Sequence, residues 1–576
     1  MTSSKDKTPA QGMRKGLTKY GDDEFALFLR KSFIKGAGYG DEALGRPVVG
    51  IINTGSDFNP CHGNADELIE RVKAGIEASG ALPMAFPTIS LHEAFSYPTS
   101  MYLRNLMSMD TEEMLRALPL DSVVLVGGCD KTVPAQLMGA ISADVPFVQL
   151  VTGPMSTGSF RGQRVGACTD CRRLWADYRA GNLDEGAIAE ANNALVPTIG
   201  TCGVMGTAST MALLAGAMGL MPLDGATAPA VSADRRRVAE KTGVLAADIA
   251  KKGVKPSAFL SQAAFDNALR VLLAVGGSTN AIIHLAAIAG RSGHDVSLDR
   301  LDNMARQTPV LVDLKPSGSG YMEDLHDAGG LVRILDALGP LIDKDAVTVS
   351  GKTLGTELAS FNTDWPQNIV RTPQDPLFGE GGLAVLYGNL APDGAIIKVA
   401  AASPDLLVHK GKAVVFEDME DLAARIDSPD LEVTPEDVLV LRNIGPKGAP
   451  GMPEAGLIPI PRKLARQGVK DMVRISDGRM SGTAAGTIVL HAAPEAAIGG
   501  ALAYVKTGDI ISLNVEKRSL EVDLSEAELE ARAKVMPLKT SDAKRGYAHL
   551  FHTSVLQAPD GVDFDFLRAE GSTNKV

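Results

Sequence analysis

The stretch VVLVGGCDKTVPAQ, residues 123–136, runs from an unbroken apolar segment through two glycines into a thiol, an acid and a base. A continuous Val and Leu run of this kind reads as a strand buried on both faces, the habit of parallel sheets covered by helices. The same grammar recurs in PVVGIINTG (47–55), ALPMAFPTIS (81–90) and VPFVQLVTG (145–153). Between these runs lie amphipathic stretches such as NADELIERVKAGIEAS (64–79) and SMYLRNLMSMDTEEMLRAL (100–118). The alternation predicts an α/β domain built on a parallel sheet. Ligands of such sheets bind outside the carboxyl ends of the strands. Cys129, Asp130 and Lys131 fall at one of those ends.

Further along the chain the texture changes twice. Residues 220–350 read as mostly helical, with AAFDNALRVLLAV (263–275) and DLHDAGGLVRILDAL (324–338), and so form a helical extension of the first domain. A passage rich in Pro, Gly and Asn, NTDWPQNIVRTPQDPLFGEGGL (362–383), reads as a linker. Beyond it come short strands at close spacing: LAVLYG, AIIKVAA, AVVFED, VLVLRN, MVRIS, TIVLHAA, DIISLNV and SLEVDL. Such spacing predicts a small β-barrel or sandwich. The expected organisation is an N-terminal tail over 1–30, an α/β domain over 31–375 and a β-barrel-like domain over 380–576.

Composition narrows the function. The chain has 576 residues, 45% of them hydrophobic, enough to bury large cores. It carries 57 Lys and Arg against 69 Asp and Glu, a net charge of -12 that disfavours nucleic acid and anionic membranes as partners. A small-molecule substrate is the expectation. No apolar run approaches the ~20 residues of a membrane helix, and the first 19 residues, polar and basic, read as a tail rather than a secretory signal. With only five cysteines there is no disulfide scaffold, and a reducing, cytoplasmic setting is expected.

Those cysteines sit at 61, 129, 168, 171 and 202. Cys168 and Cys171 form an isolated C-x-x-C without the second half of a zinc site, and read as structural or incidental. Cys61 lies in GIINTGSDFNPCHGN after the first strand, Glu93 in FPTISLHEAFSYPTS after the second, and Cys202 in the Gly- and Thr-rich GTCGVMGTASTM (200–211). Singly, each thiol reads as a small buried hydrophobe. Together, at one edge of a sheet, thiolates hold zinc or an iron–sulfur cluster, and three protein ligands leave one position open.

NPCHGN, GGCDKTVPAQLMGA, GTCGVMGTASTM, GGSTNAIIHL, GNLAPDGAIIK, VFED, GPKGAPGMPE, ISDGRMSGTAAGT and HAAPEAAIGG occur in this order from residue 59 to residue 500. In them the chain resembles the dihydroxy-acid and sugar-acid dehydratases that depend on an iron–sulfur cluster and magnesium. The likeness extends over about residues 30–570. It implies that Cys61, Cys129 and Cys202 ligate a 2Fe-2S cluster with one iron open, and that Glu93, Asp130, Glu454 and Lys131 hold Mg2+. In this family the lysine can be carbamylated, which exchanges a repelling ammonium for an anionic oxygen. Ser481 matches the family's base, an alkoxide that removes the C2 proton of the substrate, and Thr483 would sit near substrate hydroxyls.

The implied reaction is dehydration across C2 and C3 of a sugar acid to a 2-keto-3-deoxy acid. The texture of GPKGAPGMPEAGLIPIP and of ISDGRMSGTAAGT is similar to the pentonate branch, the arabinonate and xylonate enzymes. The alternatives are a branched-chain dihydroxy-acid dehydratase, a zinc-dependent hydrolase on the same cysteines, or a non-catalytic metal-binding protein. A homodimer or homotetramer is implied by the resemblance alone. Among the histidines, His92 is placed to reach substrate or a bound water, although an ordinary loop histidine is an equal reading. His284 reads as a core residue, and His409 and His491 lie in barrel segments that could face a cleft.

Overall fold

A computed structural model describes residues 11–539 and 543–569. Its first half is a four-stranded parallel sheet in the order β2-β1-β3-β4, formed by β1 (Val48–Asn53), β2 (Leu82–Pro87), β3 (Ser122–Val126) and β4 (Phe147–Leu150). The two central strands are almost wholly buried, as their unbroken apolar runs require. Helices Ala65–Ala78 and Ala233–Lys252 pack together on one face. A Cβ on Gly75 would lie 2.2 Å from the Glu240 carbonyl oxygen, and one on Gly243 2.2 Å from that of Val72. The paired glycines let the two backbones touch, and a side chain at either position would push them apart. Helices Ser100–Ala117 and Thr132–Ala143 pack against each other as a second pair. The helical extension is centred on Thr207–Ala217, Gln262–Ala274 and Thr279–Ser292. The first and third of these are buried along nearly their whole length.

A short hairpin, β5 (Gly158–Phe160) and β6 (Gln163–Val165), carries the chain toward the CTDC segment. The second half is a closed barrel of β7 (Ala384–Gly388), β8 (Ala391–Ile397), β9 (Val408–Phe416), β10 (Val438–Leu441), β11 (Arg474–Ser476), β12 (Ile488–Leu490), β13 (Ile510–Asn514) and β14 (Ser519–Val522). Strands β9 to β12 run parallel, β14 also pairs parallel with β7, and antiparallel pairs complete the ring. Closure removes free edges, which is how such short strands form a stable sheet.

Two expectations are corrected. The tail expected over residues 1–30 is structured from residue 11; residues 1–10 lie outside the described residues. The Gly12 N–H donates to the buried side of Asp121 at 2.9 Å, Met13 is buried, and helix Asp23–Lys35 carries Arg30, whose guanidinium donates to the Met13 and Lys15 carbonyls. The 362–383 passage is also no loose linker, because Val370 and Phe378 bridge Val312 and Val310. Pro and Gly there shape a path fixed by tertiary contacts, which composition does not reveal.

The chain end returns to the first half. Helix Gly546–Ser554 and the segment after it pack on Met101 and Ile283 through Phe551, Val555 and Phe564. The fully buried Arg104 donates to the Gly561 and Val562 carbonyls at 2.8 and 2.9 Å, and Arg291 pairs with the buried Asp563 at 2.6 Å. Among the described residues no helix is long and apolar enough to cross a membrane.

Candidate active site

Cys61 sits in a single turn, Pro60–His62, just beyond β1, and Cys129 sits just beyond β3. His62 ties the two loops together. Its Nε2 accepts the backbone N–H groups of Gly128 and Cys129, both at 2.9 Å, so the proton is on Nδ1, which donates to the Thr54 carbonyl at 2.9 Å. Burial pushes the His62 imidazole down to about 4, which keeps it neutral and able to accept. The Sγ atoms of Cys61 and Cys129 and a ring nitrogen of His92 all lie within 4.8 Å of one another. A hydrogen bond with Cys129, then burial, holds the Cys61 thiol well above its ordinary value.

Cys202 precedes helix Thr207–Ala217, and its Sγ lies 3.8 Å from that of Cys168. The hydrogen bond with Cys168 and then burial raise the Cys202 thiol. Hydrogen bonds from Cys171 and Cys202 lower that of Cys168. The C-x-x-C motif, read from sequence as incidental, is therefore partly drawn into the thiol group.

The carboxylates gather beside the thiols. Cys129 Sγ is 3.5 Å from Asp130 Oδ1. Lys131, fully buried, places its Nζ 2.6 Å from Asp130, 3.0 Å from Glu93 and 3.5 Å from Glu454. Burial opposes the charge on Lys131, but Asp130, Glu93 and Glu454 outweigh it and hold the ammonium above its ordinary range. Burial likewise opposes the charge on Glu93, yet Lys131 and Arg479, with hydroxyls of Ser100 and Thr99, keep that carboxyl far below the usual range. Glu93 accepts from Thr99 Oγ1 at 2.6 Å and from Ser100 Oγ. Oxygens of Glu93, Asp130 and Glu454 come within 4.8 Å of each other.

Sequence reasoning missed the residues that bind this carboxylate group from the barrel side. Arg479, in the loop after β11, donates to Glu454 at 2.5 Å and to Thr99 Oγ1 at 2.7 Å, with Glu93 3.5 Å away. Asn280, at the start of helix Thr279–Ser292, donates to Glu454 at 3.0 Å. Both lie inside motifs already quoted, ISDGRMSG and GGSTNAIIHL, but nothing local marks an arginine or asparagine as the partner of an acid 25 or 174 residues away.

Ser481 and Thr483 occupy the same loop as Arg479, with their hydroxyls 2.9 Å apart. The loop presses on the helix that follows Cys202. A Cβ on Gly482 would meet Ser278 Oγ at 2.6 Å and the Thr207 N–H nitrogen at 2.9 Å. The Thr483 carbonyl accepts from Thr169 Oγ1 at 2.9 Å, and the Gly482 carbonyl accepts from the buried Lys398 at 3.2 Å. Thiols, carboxylates and hydroxyls thus converge where the two halves meet.

The remaining histidines divide. His284 is buried against Arg104, 3.2 Å away, with no partner for its Nε2. His491 is buried, and burial with the nearby Arg479 pushes it down to about 3. His409 Nε2 donates to the Glu436 carbonyl at 2.8 Å.

The donor chemistry suits two different groups. A soft set of Cys61, Cys129 and Cys202 fits an iron–sulfur cluster. Among the described residues, the hard set of three carboxylates faces two cations, Lys131 and Arg479, leaving one formal negative charge in excess in a partly buried place, and fits a divalent cation.

With this geometry in place, the kinship of the chain is clear. The signature described as dihydroxy-acid/6-phosphogluconate dehydratase N-terminal matches residues 46–357, and its C-terminal counterpart matches residues 368–562. The chain belongs to this dehydratase family, a family of hydro-lyases, which sets aside the zinc-hydrolase and non-catalytic readings. It is 45% identical to L-arabinonate dehydratase of Rhizobium leguminosarum bv. trifolii, covering 95% of each chain. It is 44% identical to 6-deoxy-6-sulfo-D-gluconate dehydratase of Pseudomonas putida over 92% of each. A dihydroxy-acid dehydratase of Clostridium botulinum is 35% identical over 92% of this chain and 97% of its own length.

Proposed function

We propose that this protein is an iron–sulfur- and magnesium-dependent dehydratase that removes water across C2 and C3 of a sugar acid and releases a 2-keto-3-deoxy acid. The observation that carries the reading is the approach of Glu93, Asp130 and Glu454 oxygens to within 4.8 Å of one another, with Asp130 Oδ1 3.5 Å from the Cys129 sulfur. Relatives named for arabinonate and sulfogluconate stand at 44–45% identity, against 35% for a dihydroxy-acid dehydratase, and this favours a polyhydroxy substrate.

When bound, Mg2+ and the cluster would supply hard and soft Lewis acidity toward the carboxylate and hydroxyl oxygens of the substrate. The residues of the chain do the rest. Glu93, Asp130 and Glu454 hold the hard cation, with Cys61, Cys129 and Cys202 holding the cluster. Ser481 Oγ takes the C2 proton, and the hydroxyl of Thr483, 2.9 Å away, donates to it and steadies the alkoxide. A free serine is too weak a base, so adjacent cationic charge must lower its proton affinity. Lys398 fixes the loop by its bond to the Gly482 carbonyl, and Arg479 ties the same loop to Glu454. Thr483 also offers a hydroxyl to a substrate hydroxyl, where a branched alkyl tail would want an apolar wall.

Lys131 stands at the centre of the three acids, where an ammonium would repel a metal. In the working enzyme its carbamate would join the ligand set, and 13C NMR with labelled bicarbonate tests this. A homodimer or homotetramer is the proposed assembly, to be checked by light scattering.

The test is metal and sulfide analysis of anaerobically purified protein, then keto-acid formation from a panel of aldonates and from 2,3-dihydroxyisovalerate. Iron and acid-labile sulfide at about two each per chain, with aldonate turnover, support the reading. Zinc without sulfide overturns the cofactor assignment, and turnover of 2,3-dihydroxyisovalerate alone overturns the substrate class.

A further inference from the structure

The fourth thiol at the site has no part in the proposed reaction. Cys168 Sγ lies 3.8 Å from Cys202 Sγ. This is too long for a disulfide bond of about 2.05 Å. It matches the separation of two thiolates on one tetrahedral metal, since ligands at ~2.3 Å stand about 3.8 Å apart. Cys61 and Cys129 form a second close pair, their sulfurs within 4.8 Å of each other, and Cys171, hydrogen-bonded to Cys168, stands outside both pairs. Two irons bridged by two sulfides need two further ligands each, and two pairs satisfy that count.

The spacing is held by buried structure. Lys315 links both loops: its carbonyl accepts from Met205 N at 2.9 Å, close to Cys202, and its Nζ donates to Asp170 at 3.0 Å, close to Cys168. Asp170 is itself buried, accepts from Tyr321 Oη at 2.9 Å, and receives the Gly166 N–H at 3.0 Å. Cys168 occupies the N-cap of helix Thr169–Ala180, where the positive end of the helix dipole favours a thiolate. The next residue, Thr169, donates to the Thr483 carbonyl. The Cys168 segment is therefore joined to the loop expected to meet the substrate.

We propose that Cys168 is a fourth thiolate ligand, bound to the iron next to Cys202 until the substrate hydroxyl displaces it. This rests on the iron–sulfur reading above. On ligation the thiol loses its proton to solvent. On substrate binding the iron–sulfur bond to Cys168 breaks, an iron–oxygen bond to the substrate hydroxyl forms, and the released thiolate takes up a proton. The device closes the open iron to water and oxygen when no substrate is present. It assigns a role to the residue that the isolated C-x-x-C motif left without one.

The experiment is Mössbauer and resonance Raman spectroscopy of the substrate-free, full-length protein reconstituted anaerobically with 57Fe and sulfide, with Cys168→Ala, Cys168→Ser and Cys171→Ala beside the wild type. The expected result is two sulfur-ligated irons in the wild type and in Cys171→Ala, and one iron shifted to oxygen ligation in both Cys168 variants. Should a variant fail to load, the wild type alone decides, because one oxygen-ligated iron without substrate overturns the proposal. Identical spectra for wild type and Cys168→Ala overturn it as well. So does an iron–nitrogen vibration in the resonance Raman spectrum that disappears in His92→Ala, which would give the position to the imidazole. A wild type that takes up no cluster overturns the cofactor reading and this inference with it, whereas the other outcomes leave the cofactor reading standing.

Discussion

Replacing His62 with leucine tests whether the thiol loops are organised as described. Leucine approximates the volume of the ring but accepts no hydrogen bond, so the Gly128 and Cys129 N–H groups, each 2.9 Å from His62 Nε2, lose their acceptor in a buried place. An orphaned buried donor costs about 1–3 kcal/mol, and two give ~2–6 kcal/mol. The Thr54 carbonyl loses the Nδ1–H as well. Native-state hydrogen exchange by mass spectrometry on peptides spanning residues 122–133 reads the cost locally, without assuming that so large a protein unfolds in one step. At about 1.4 kcal/mol per tenfold, exchange at Gly128 and Cys129 should quicken by roughly 30-fold or more. Peptides from the barrel should be unaffected. Unchanged exchange at Gly128 and Cys129 in a folded His62→Leu protein would show that His62 does not hold this loop.

Three further perturbations follow from the geometry. Asp563→Ala takes from the buried Arg291 guanidinium its shortest carboxylate partner, leaving Glu112 at 3.5 Å and the hydroxyls of Ser108 and Ser142, and should cost about 3 kcal/mol, seen as release of the chain end to limited proteolysis; an unchanged cleavage pattern contradicts the pairing. Gly482→Ala forces the Ser481 loop away from Ser278 and Thr207, and a shift of about 1 Å should lower kcat by roughly 100-fold with circular dichroism unaltered. Lys398→Met tests a pH dependence: burial pushes this amine down to about 7 from its ordinary 10.5, so the unfolded state binds more protons between those values and stability rises with pH across the window. From pH 7 to pH 9.5 the wild type should gain roughly 3 kcal/mol relative to Lys398→Met, read from hydrogen exchange of peptides spanning residues 391–402 in the two proteins at both pH values, and an equal protection difference at the two pH values would refute it.

The buried sheet was legible because VVGII and SVVLV have no alternative to burial on both faces, and the barrel was legible from its short strands and close turns. Glu93, Asp130, Lys131 and Glu454 were found through a resemblance, and they do meet around one point. What stayed hidden shares one physical cause, long-range pairing. Arg479 meets Glu454 where the loops after the paired strands β10 and β11 come together, and it reaches Glu93 and Thr99 only because the barrel docks on the sheet's carboxyl edge. Cys168 reaches Cys202 only because a hairpin and the Lys315 bridge fold residues 158–171 back over the thiols, which a motif three residues long cannot announce. The order of residues 11–30 depends on Asp121 receiving the Gly12 N–H, a contact 109 residues apart.

The most direct test of the account is single-turnover keto-acid formation by wild-type and Ser481→Ala proteins of equal iron, sulfide and magnesium content, with L-arabinonate as the probe. Removing the proton acceptor while leaving both metal-binding sets intact should slow the chemical step by about 100- to 10,000-fold. A Ser481→Ala protein with equal metal content that forms keto acid at the wild-type rate would contradict the assignment of the base, and with it the dehydration chemistry derived from this site.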